Sequence, residues 1–369
     1  MPEHLTAQDA IVFSTWDWGT FNVPERIVLA LALRGLRVLY CEMPVSRFRR
    51  HGKARQEVHP RVHVFGPEYL GEKFDAIPML RDWQWRAVAQ QLLRQATTLG
   101  MKNPPFFYSH VEGIGPLCRE MRKLGSRLIH ICMDYPEPYQ YELIAVSDLT
   151  LVIPNTVFVK LRARYGEKIQ SIPQSIHLPF ATPGNGGSTV VPSHLANIPR
   201  PRLGYLGPLH ARVNLSLLRE VLSVHPNWQF VCFGDASCLR LANAHGTKWR
   251  RPEDLPANIG AFDVGVMPYD CFEEKNLHCV PLKLFDYFLA GLPVVSTPVI
   301  ALREFSDLIY FGDTSTEFAS AVEAALAEPA ASDKRARRIE TAHAHSTELL
   351  GQRLEEVLDS CAARKRVVT

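Results

Sequence analysis

The residues best suited to chemistry lie on one predicted helix in the second half of this 369-residue chain. Pro281 suits the first turn of such a helix, and Gly291 suits the position just past its end. Lys283 and Asp286 are three residues apart, so their side chains share one face of the helix. Together they would aim a positive charge and a hydroxyl-binding carboxylate at one ligand. The alternative is a solvent-exposed ion pair.

A glycine-containing turn follows the first predicted strand of the same half. Gly204 and Gly207 would let the backbone approach a ligand closely, with N–H groups free to bind phosphate. Arg212 follows five residues after Gly207 and would add positive charge. The alternative is an ordinary turn between a strand and a helix.

The elements that must position these residues alternate short apolar runs with helical patterns, which indicates an α/β fold with parallel sheets. The first half predicts strands at 10–14, 37–41, 62–65, 105–108, 127–132 and 149–153. The second half predicts strands at 202–206, 228–233, 262–267, 293–296 and 308–311. We therefore expect two Rossmann-like parallel-sheet domains facing a cleft, with ligands at the carboxyl ends of the strands.

Composition shifts along the chain set the expected domain boundaries. Residues 1–178 form the predicted N-terminal domain and residues 202–331 the C-terminal one. Between them, 179–201 is rich in Pro, Gly, Ser and Thr, which is typical of a linker. Residues 332–369 show one long polar helical pattern, which we expect to pack back across the domains.

The overall composition excludes several classes of protein. Hydrophobic residues make up 46% and charged residues 21%, which excludes wholesale disorder. The net charge is only +3, which argues against a nucleic-acid partner. No apolar run approaches the roughly 18 residues of a membrane span, and the N-terminus lacks the pattern of a signal peptide. The eight cysteines include no C-x-x-C pair, so we expect a cytoplasmic protein without disulfides or a structural metal.

Several segments resemble those of one enzyme family in both order and spacing. The run Gly291-Leu292-Pro293-Val294-Val295-Ser296-Thr297 resembles the donor-site signature of the two-domain GT-B glycosyltransferases. Residues 262–269 look like the strand that precedes the donor helix in that family. In the first half, 16–44 and 131–149 are similar to segments of bacterial polysaccharide glycosyltransferases. The resemblance spans nearly the whole chain and is specific as an ordered set.

The resemblance implies that the second domain binds a nucleoside diphosphate sugar, most simply a UDP-sugar. On this hypothesis Asp286 holds the ribose hydroxyls. Lys283 and Arg212 neutralise the diphosphate together with backbone N–H groups near Gly204 and Gly207, without a metal or other cofactor. Trp249 lies where the family usually contacts the base, against which it could pack.

One departure from the family pattern concerns the catalytic stereochemistry. Many retaining members carry two glutamates separated by seven residues, and the second position corresponds here to Asp286. The first position holds His278, which we expect to contact the donor sugar or phosphate. Glu273, Glu274 or Asn276 could take that role in a shifted loop, so retention and inversion both stay open.

The first domain of the family binds the acceptor and often supplies the base that removes the proton of its hydroxyl. The candidates follow predicted strands. Asp134 comes after the strand at 127–132 and is our first choice. Asp17, in the loop after the first strand, is second, and His110 with Glu112 is third.

The segment 47–55 carries five Lys or Arg residues and no acid. Arg47, Arg49 and Arg50, together with Trp16, are expected to contact either an anionic bilayer or the pyrophosphate of an acceptor. A mobile solvated loop is the alternative.

The expected function is sugar transfer to a hydroxyl of a saccharide or lipid-linked acceptor, at the cytoplasmic face of the membrane. The competing hypotheses are a nucleotide-sugar epimerase and a non-catalytic sugar-nucleotide-binding partner subunit.

Overall fold

A computed structural model of the chain describes residues 8–20, 22–46, 56–109, 111–176, 191–248 and 254–368, without the side chains of 56 and 361–368. The chain forms two compact units, one comprising Met1–Pro173 with Thr347–Thr369 and the other Gln174–Ser346. The first boundary thus precedes the predicted linker at 179–201. Residues 179–190 of that linker lie outside the described residues.

The first unit is built around a mainly parallel sheet. Its strands are β1 (Asp9–Phe13), β2 (Arg37–Cys41), β3 (Val45–Ser46), β4 (Gln56–His59), β5 (Val62–Phe65), β6 (Glu68–Tyr69), β7 (Phe106–Tyr108), β8 (Leu128–Cys132), β9 (Leu149–Val152) and β10 (Ile169–Ser171). Its first five helices are α1 (Val23–Leu33), α2 (Pro78–Thr98), α3 (Gly115–Lys123), α4 (Pro138–Val146) and α5 (Asn155–Tyr165).

Eight of these strands join in the order β10-β9-β8-β7-β1-β2-β5-β4, and only β4 pairs antiparallel. The strands β1, β7 and β8 are buried along their whole length. Continuous apolar runs of this kind are typical of parallel strands covered by helices on both faces. The strand order reverses between β1 and β7, and ligands of open parallel sheets bind at such a switch point.

The second unit repeats this architecture. Its strands are β11 (Arg202–Tyr205), β12 (Gln229–Phe233), β13 (Ala244–Thr247), β14 (Val264–Met267), β15 (Val294–Ser296) and β16 (Ile309–Phe311). Its helices are α6 (Leu215–Val224), α7 (Leu255–Gly260), α8 (Glu274–Leu277), α9 (Leu282–Leu289), α10 (Ser315–Leu326) and α11 (Asp333–His343). All strands are parallel, in the order β13-β12-β11-β14-β15-β16, with the switch point between β11 and β14. The predicted α/β class with two parallel sheets is confirmed.

The prediction of a single helix over 332–369 is wrong. The chain leaves α11 after His343 and starts a new helix, α12 (Thr347–Val368). Between them the His345 ring stacks on Phe285 at 4.0 Å, and its Nδ1 lies 2.9 Å from the carbonyl oxygen of Gln174. These tertiary contacts interrupt the helical pattern. The helix α11 packs on α9 in the second unit, whereas α12 packs on α1 in the first.

Across the described ranges, no helix combines the length and apolar character that a membrane crossing requires.

Candidate nucleotide site and candidate catalytic edge

The switch point of the second unit is formed by two loops that are tied to each other. The loop after β11 runs to Asn214, which caps α6 by accepting a hydrogen bond from the Leu217 N–H. The Asn214 N–H donates to the Pro268 carbonyl at 2.8 Å, and the Asp270 N–H donates to the Arg212 carbonyl at 2.9 Å. Main-chain bonds thus hold Arg212 beside the loop that follows β14.

Glycine is favoured at positions 204 and 207 for different structural reasons. A Cβ atom at Gly204 would lie 2.0 Å from the Phe262 ring, so close packing within the sheet requires glycine there. Gly207 has a φ of +132°, a backbone conformation that favours glycine. A Cβ atom there would lie 3.6 Å from Lys283 Nζ. Gly207 is therefore the glycine that brings the turn next to the predicted cation.

The Lys283 ammonium lies over aromatic rings. Its Nζ is 3.7 Å from the centre of the Tyr205 ring and 5.5 Å from that of Tyr269. Tyr205 ends β11, and Tyr269 follows β14 by two residues. A cation within about 6 Å of a ring face is attracted by the electron density of the ring. The sequence analysis missed both tyrosines, although Tyr205 stands between the two glycines.

Arg212 and His210 both interact electrostatically with Lys283. Arg212 Nη1 is 3.7 Å from the Cys279 Sγ. The His210 imidazole is electrostatically coupled to both Lys283 and Arg212, and it was not predicted. Burial and these two neighbouring cations lower the pKa of His210 below its ordinary value.

The Lys283 ammonium is strongly affected by its surroundings. Burial, reinforced by Arg212, lowers its pKa to about 7, while Cys279 and Asp286 act in the opposite direction. A lowered lysine pKa records a cation held in a site that disfavours its charge. An anionic ligand would relieve that cost.

A buried tyrosine of α9 makes hydrogen bonds to the segment that contains the glycine turn. The Tyr287 hydroxyl donates to the Gly204 carbonyl at 3.0 Å and accepts from the Leu206 N–H at 2.8 Å. Its neighbour Asp286 is only 4% exposed. Asp286 interacts electrostatically with Lys283 one turn earlier, as the spacing predicted. The Gly207 turn thus lies next to Lys283, which interacts with Asp286. The region formed by this turn and these two side chains is called the corner around Gly207.

The position of the missing family glutamate is occupied by a buried imidazole. His278 follows α8, and its Nε2 lies 3.1 Å from the Glu274 carboxylate. Of the alternatives considered, Glu273 and Glu274 are exposed, whereas Asn276 is buried and donates to the Asp270 carbonyl. His278 and Asn276 are therefore better shielded from water than either glutamate, and the role of His278 stays a prediction.

In the first unit, the loop that carries Asp17 is held in place by two buried carboxylates. Glu42 accepts from the Trp18 N–H at 2.9 Å, and Glu25 accepts from the Gly19 N–H at 3.0 Å. The sequence analysis missed both glutamates, although Glu42 directly follows β2. Asp17 itself is exposed, and the Trp16 carbonyl accepts a hydrogen bond from the Tyr40 hydroxyl.

Asp134 is half-buried in the turn after β8. The strands β8, β7 and β1 are neighbours, so the loops that follow them share the carboxyl edge of one sheet. This edge carries Asp134 and Asp17, while His110, two residues after β7 in the sequence, lies outside the described residues. The other predicted positions outside them are Trp249, Arg47, Arg49 and Arg50.

A cavity of about 550 Å³ in the first unit lies between α2, α3 and α4. Its wall includes the charged side chains of Arg81, Arg119, Arg122 and Glu142, but neither Asp17 nor Asp134. Within the described part of the chain, no group of three or more His, Cys, Asp or Glu side chains is placed to hold a metal ion.

Part of the second unit is similar to a known family. Residues 200–328 match the family described as glycosyl transferases group 1. One curated relative is TuaH of Bacillus subtilis (strain 168), whose name gives it a provisional role as a glycosyltransferase of teichuronic acid biosynthesis. The two are 29% identical over 139 residues, which cover 34% of this chain and 35% of TuaH. The match thus spans about a third of that relative.

Solved structures match over nearly the whole length. A sucrose-phosphate synthase from Thermosynechococcus elongatus has a TM-score of 0.72 at 15% identity, covering 97% of this chain and 100% of its own. A UDP-forming α,α-trehalose-phosphate synthase from Burkholderia vietnamiensis has a TM-score of 0.67 at 14% identity, covering 97% and 100%. At such identities the likeness shows the fold alone. The chain thus has the GT-B fold, and its residues 200–328 are similar to the group 1 glycosyl transferases.

Proposed function

We propose that this protein transfers a sugar from a nucleoside diphosphate sugar, a UDP-sugar, to a hydroxyl group of a saccharide or lipid-linked acceptor. The observation that carries the proposal is the corner around Gly207. There Lys283 and Arg212 bring positive charge together, beside the His210 imidazole, within the residues that match the glycosyltransferase family. An E. coli structure described as trehalose-6-phosphate bound with UDP-2-fluoro glucose shares the fold at a TM-score of 0.66.

On this proposal, the diphosphate lies against the Gly207 turn. Lys283 and Arg212 neutralise its charge, which grows as the bond to the sugar breaks. These fixed cations supply the stabilisation without a metal ion. Asp286 accepts hydrogen bonds from the ribose hydroxyls, and Trp249 packs on the base.

In the transfer step, the oxygen of the acceptor hydroxyl forms a bond to the anomeric carbon of the donor sugar. The bond from that carbon to the diphosphate oxygen breaks, and the nucleoside diphosphate leaves with the bonding electron pair. A base removes the proton of the hydroxyl. Asp134 is our first candidate for that base, followed by Asp17 and His110. His278 contacts the transferred sugar.

Peripheral contact with an anionic membrane is the proposed route to a lipid-linked acceptor. The start of α2 supports this contact, because Ile77, Met79 and Trp83 are 49%, 78% and 52% exposed. The basic segment 47–55 would add electrostatic attraction. Sedimentation with phosphatidylglycerol vesicles should recover the wild type but less of the double variant Met79→Ser/Trp83→Ser. Equal recovery would contradict this contact.

The first test of the function is a thermal-unfolding panel with UDP, GDP, ADP, dTDP and NAD. Selective stabilisation by UDP is expected, of roughly 2.7 kcal/mol at a hundred times its dissociation constant. Asp286→Asn should lose this stabilisation while unfolding at the temperature of the unliganded wild type. Stabilisation by NAD alone, or by no nucleotide, would contradict the proposed donor site.

The candidate base is tested separately. Asp134→Asn should remove sugar transfer while keeping the affinity for UDP. Transfer at the wild-type rate would exclude Asp134 and direct the same test to Asp17 and His110.

A further inference from the structure

The Lys283 ammonium has an unusual set of neighbours for a half-buried cation. Among the described residues, no carboxylate lies within 4 Å of its Nζ as an ion-pair partner, although Asp286 acts on it through space. The face of the Tyr205 ring lies against it, with the ring centre 3.7 Å from Nζ. Tyr269 lies on a second side at 5.5 Å.

The position of the Tyr205 ring is tightly fixed. Tyr205 is fully buried at the end of β11, where its ring stacks on Phe230 with centroids 6.5 Å apart. A Cβ atom at Gly207 would lie 3.7 Å from the ring and 3.6 Å from Lys283 Nζ. Ring, ammonium and glycine turn therefore meet at one point. The Tyr205 hydroxyl has no hydrogen-bond partner in the described residues. The interaction of Tyr205 with Lys283 is therefore made by the ring face.

We propose that Tyr205 is a positioning residue for nucleotide binding, whose ring face holds the Lys283 ammonium beside the Gly207 turn in place of a carboxylate. A carboxylate partner would fix the ammonium equally well but would cancel its charge and repel a diphosphate. A neutral ring fixes it and leaves the charge for the ligand. This inference rests on the proposed function, because it assumes that the ligand of the corner is a nucleoside diphosphate.

The charge of Lys283 then depends on what occupies the corner. Burial and Arg212 disfavour its protonated form, Cys279 and Asp286 favour it, and the two tyrosine rings attract it. A bound diphosphate adds negative charge and favours protonation. Above about pH 7, UDP binding should therefore be accompanied by proton uptake. Calorimetry in two buffers of different ionisation enthalpy measures that uptake.

The test compares two variants of Tyr205 by UDP titration calorimetry of the full chain. Tyr205→Phe keeps the ring face and should bind UDP within twofold of the wild type. Tyr205→Met keeps an apolar side chain but removes the ring, and should raise the dissociation constant between about 3- and 30-fold. In a Lys283→Met background, Tyr205→Met should have no further effect, because the cation that the ring positions is gone.

Each outcome decides the inference. Equal affinity of Tyr205→Met and wild type would overturn it while leaving the proposed function intact. An equal loss in both Lys283 backgrounds would also overturn it, since it would show a purely structural role. If Tyr205→Met fails to fold, pentafluorophenylalanine at position 205 replaces it, because this ring keeps the shape but repels a cation. No UDP binding by the wild type would overturn the proposed function and this inference together.

Discussion

Two cationic side chains of the second unit, Arg338 and Lys283, have completely different surroundings. Arg338 on α11 is fully buried and makes two 2.7 Å hydrogen bonds to the Glu328 carboxylate. Its Nε donates to the Leu308 carbonyl at 2.9 Å. Lys283 on α9 lies against tyrosine rings and beside further cations.

The difference separates a cation that stabilises the fold from one that serves a ligand. Burial raises the pKa of Glu328, but hydrogen bonds from Arg338, Ser332 and Tyr310 outweigh it and lower the pKa to about 2. The charges of Arg338 and Glu328 neutralise each other, so this pair does not attract an anionic ligand. The pKa of Lys283 instead falls to about 7. An incompletely compensated cation beside a glycine turn is suited to binding a phosphate.

The largest expected effect follows from removing Arg338 from its ion pair with Glu328. Arg338→Met should destabilise the protein by about 3–5 kcal/mol, because it leaves the Glu328 carboxylate buried without its cation. Urea denaturation followed by circular dichroism measures the loss. A change below 1 kcal/mol would mean that the Arg338 pair is not what holds α11 to this unit.

A smaller effect is expected when a rise in pH removes the positive charge of Lys283. The affinity for UDP should fall above about pH 7, by at most about tenfold per pH unit, as Lys283 loses its proton in the free protein. Calorimetry between pH 6 and pH 9 follows this decline. Lys283→Arg is the matched control, because a guanidinium stays charged and its affinity should be nearly constant over the same range. Parallel declines in both proteins would contradict the assignment to Lys283.

The smallest expected effect is the stability change on removing Lys283. Lys283→Met should leave the free energy of unfolding at pH 7 within about 1 kcal/mol of the wild type or raise it, since it removes a desolvated charge. The same denaturation experiment used for Arg338→Met gives a direct comparison. A loss as large as that of Arg338→Met would show that Lys283 is a structural cation.

The pH dependence of stability should also distinguish the two sites. The Glu328 pKa lies below its unfolded value, so its contribution is present above about pH 4.5 and is lost as the pH falls towards 2. The Lys283 pKa lies below its unfolded value of 10.5, so the unfolded state binds more protons between pH 7 and 10.5. The cost of burying Lys283 is therefore relieved as the pH rises through that range.

The parallel sheets and the α9 site could be predicted from local patterns. Buried strands such as β2 (Arg37–Cys41) are continuous apolar runs, and Pro281 and Gly291 mark the ends of the helix that carries Lys283 and Asp286. The spacing of three residues then places both side chains on one face. These features depend on residues that are near one another in the sequence.

The aromatic and ionic partners could not be predicted in the same way. Tyr205 meets Lys283 only because the strand order brings β11 beside α9, which are far apart in the sequence. Arg338 lies in a polar helical pattern that gives no sign of complete burial. The break at His345 carries no Pro or Gly, and it follows from the stacking of that ring on Phe285.

The most direct test of the central claim is calorimetric titration of UDP into the full chain and its Lys283→Met variant at pH 7. The wild type should bind one UDP, and the variant should bind it roughly 10- to 150-fold more weakly, as expected for one charge-assisted hydrogen bond. Equal affinities in two equally stable proteins would contradict a diphosphate site at the Gly207 turn.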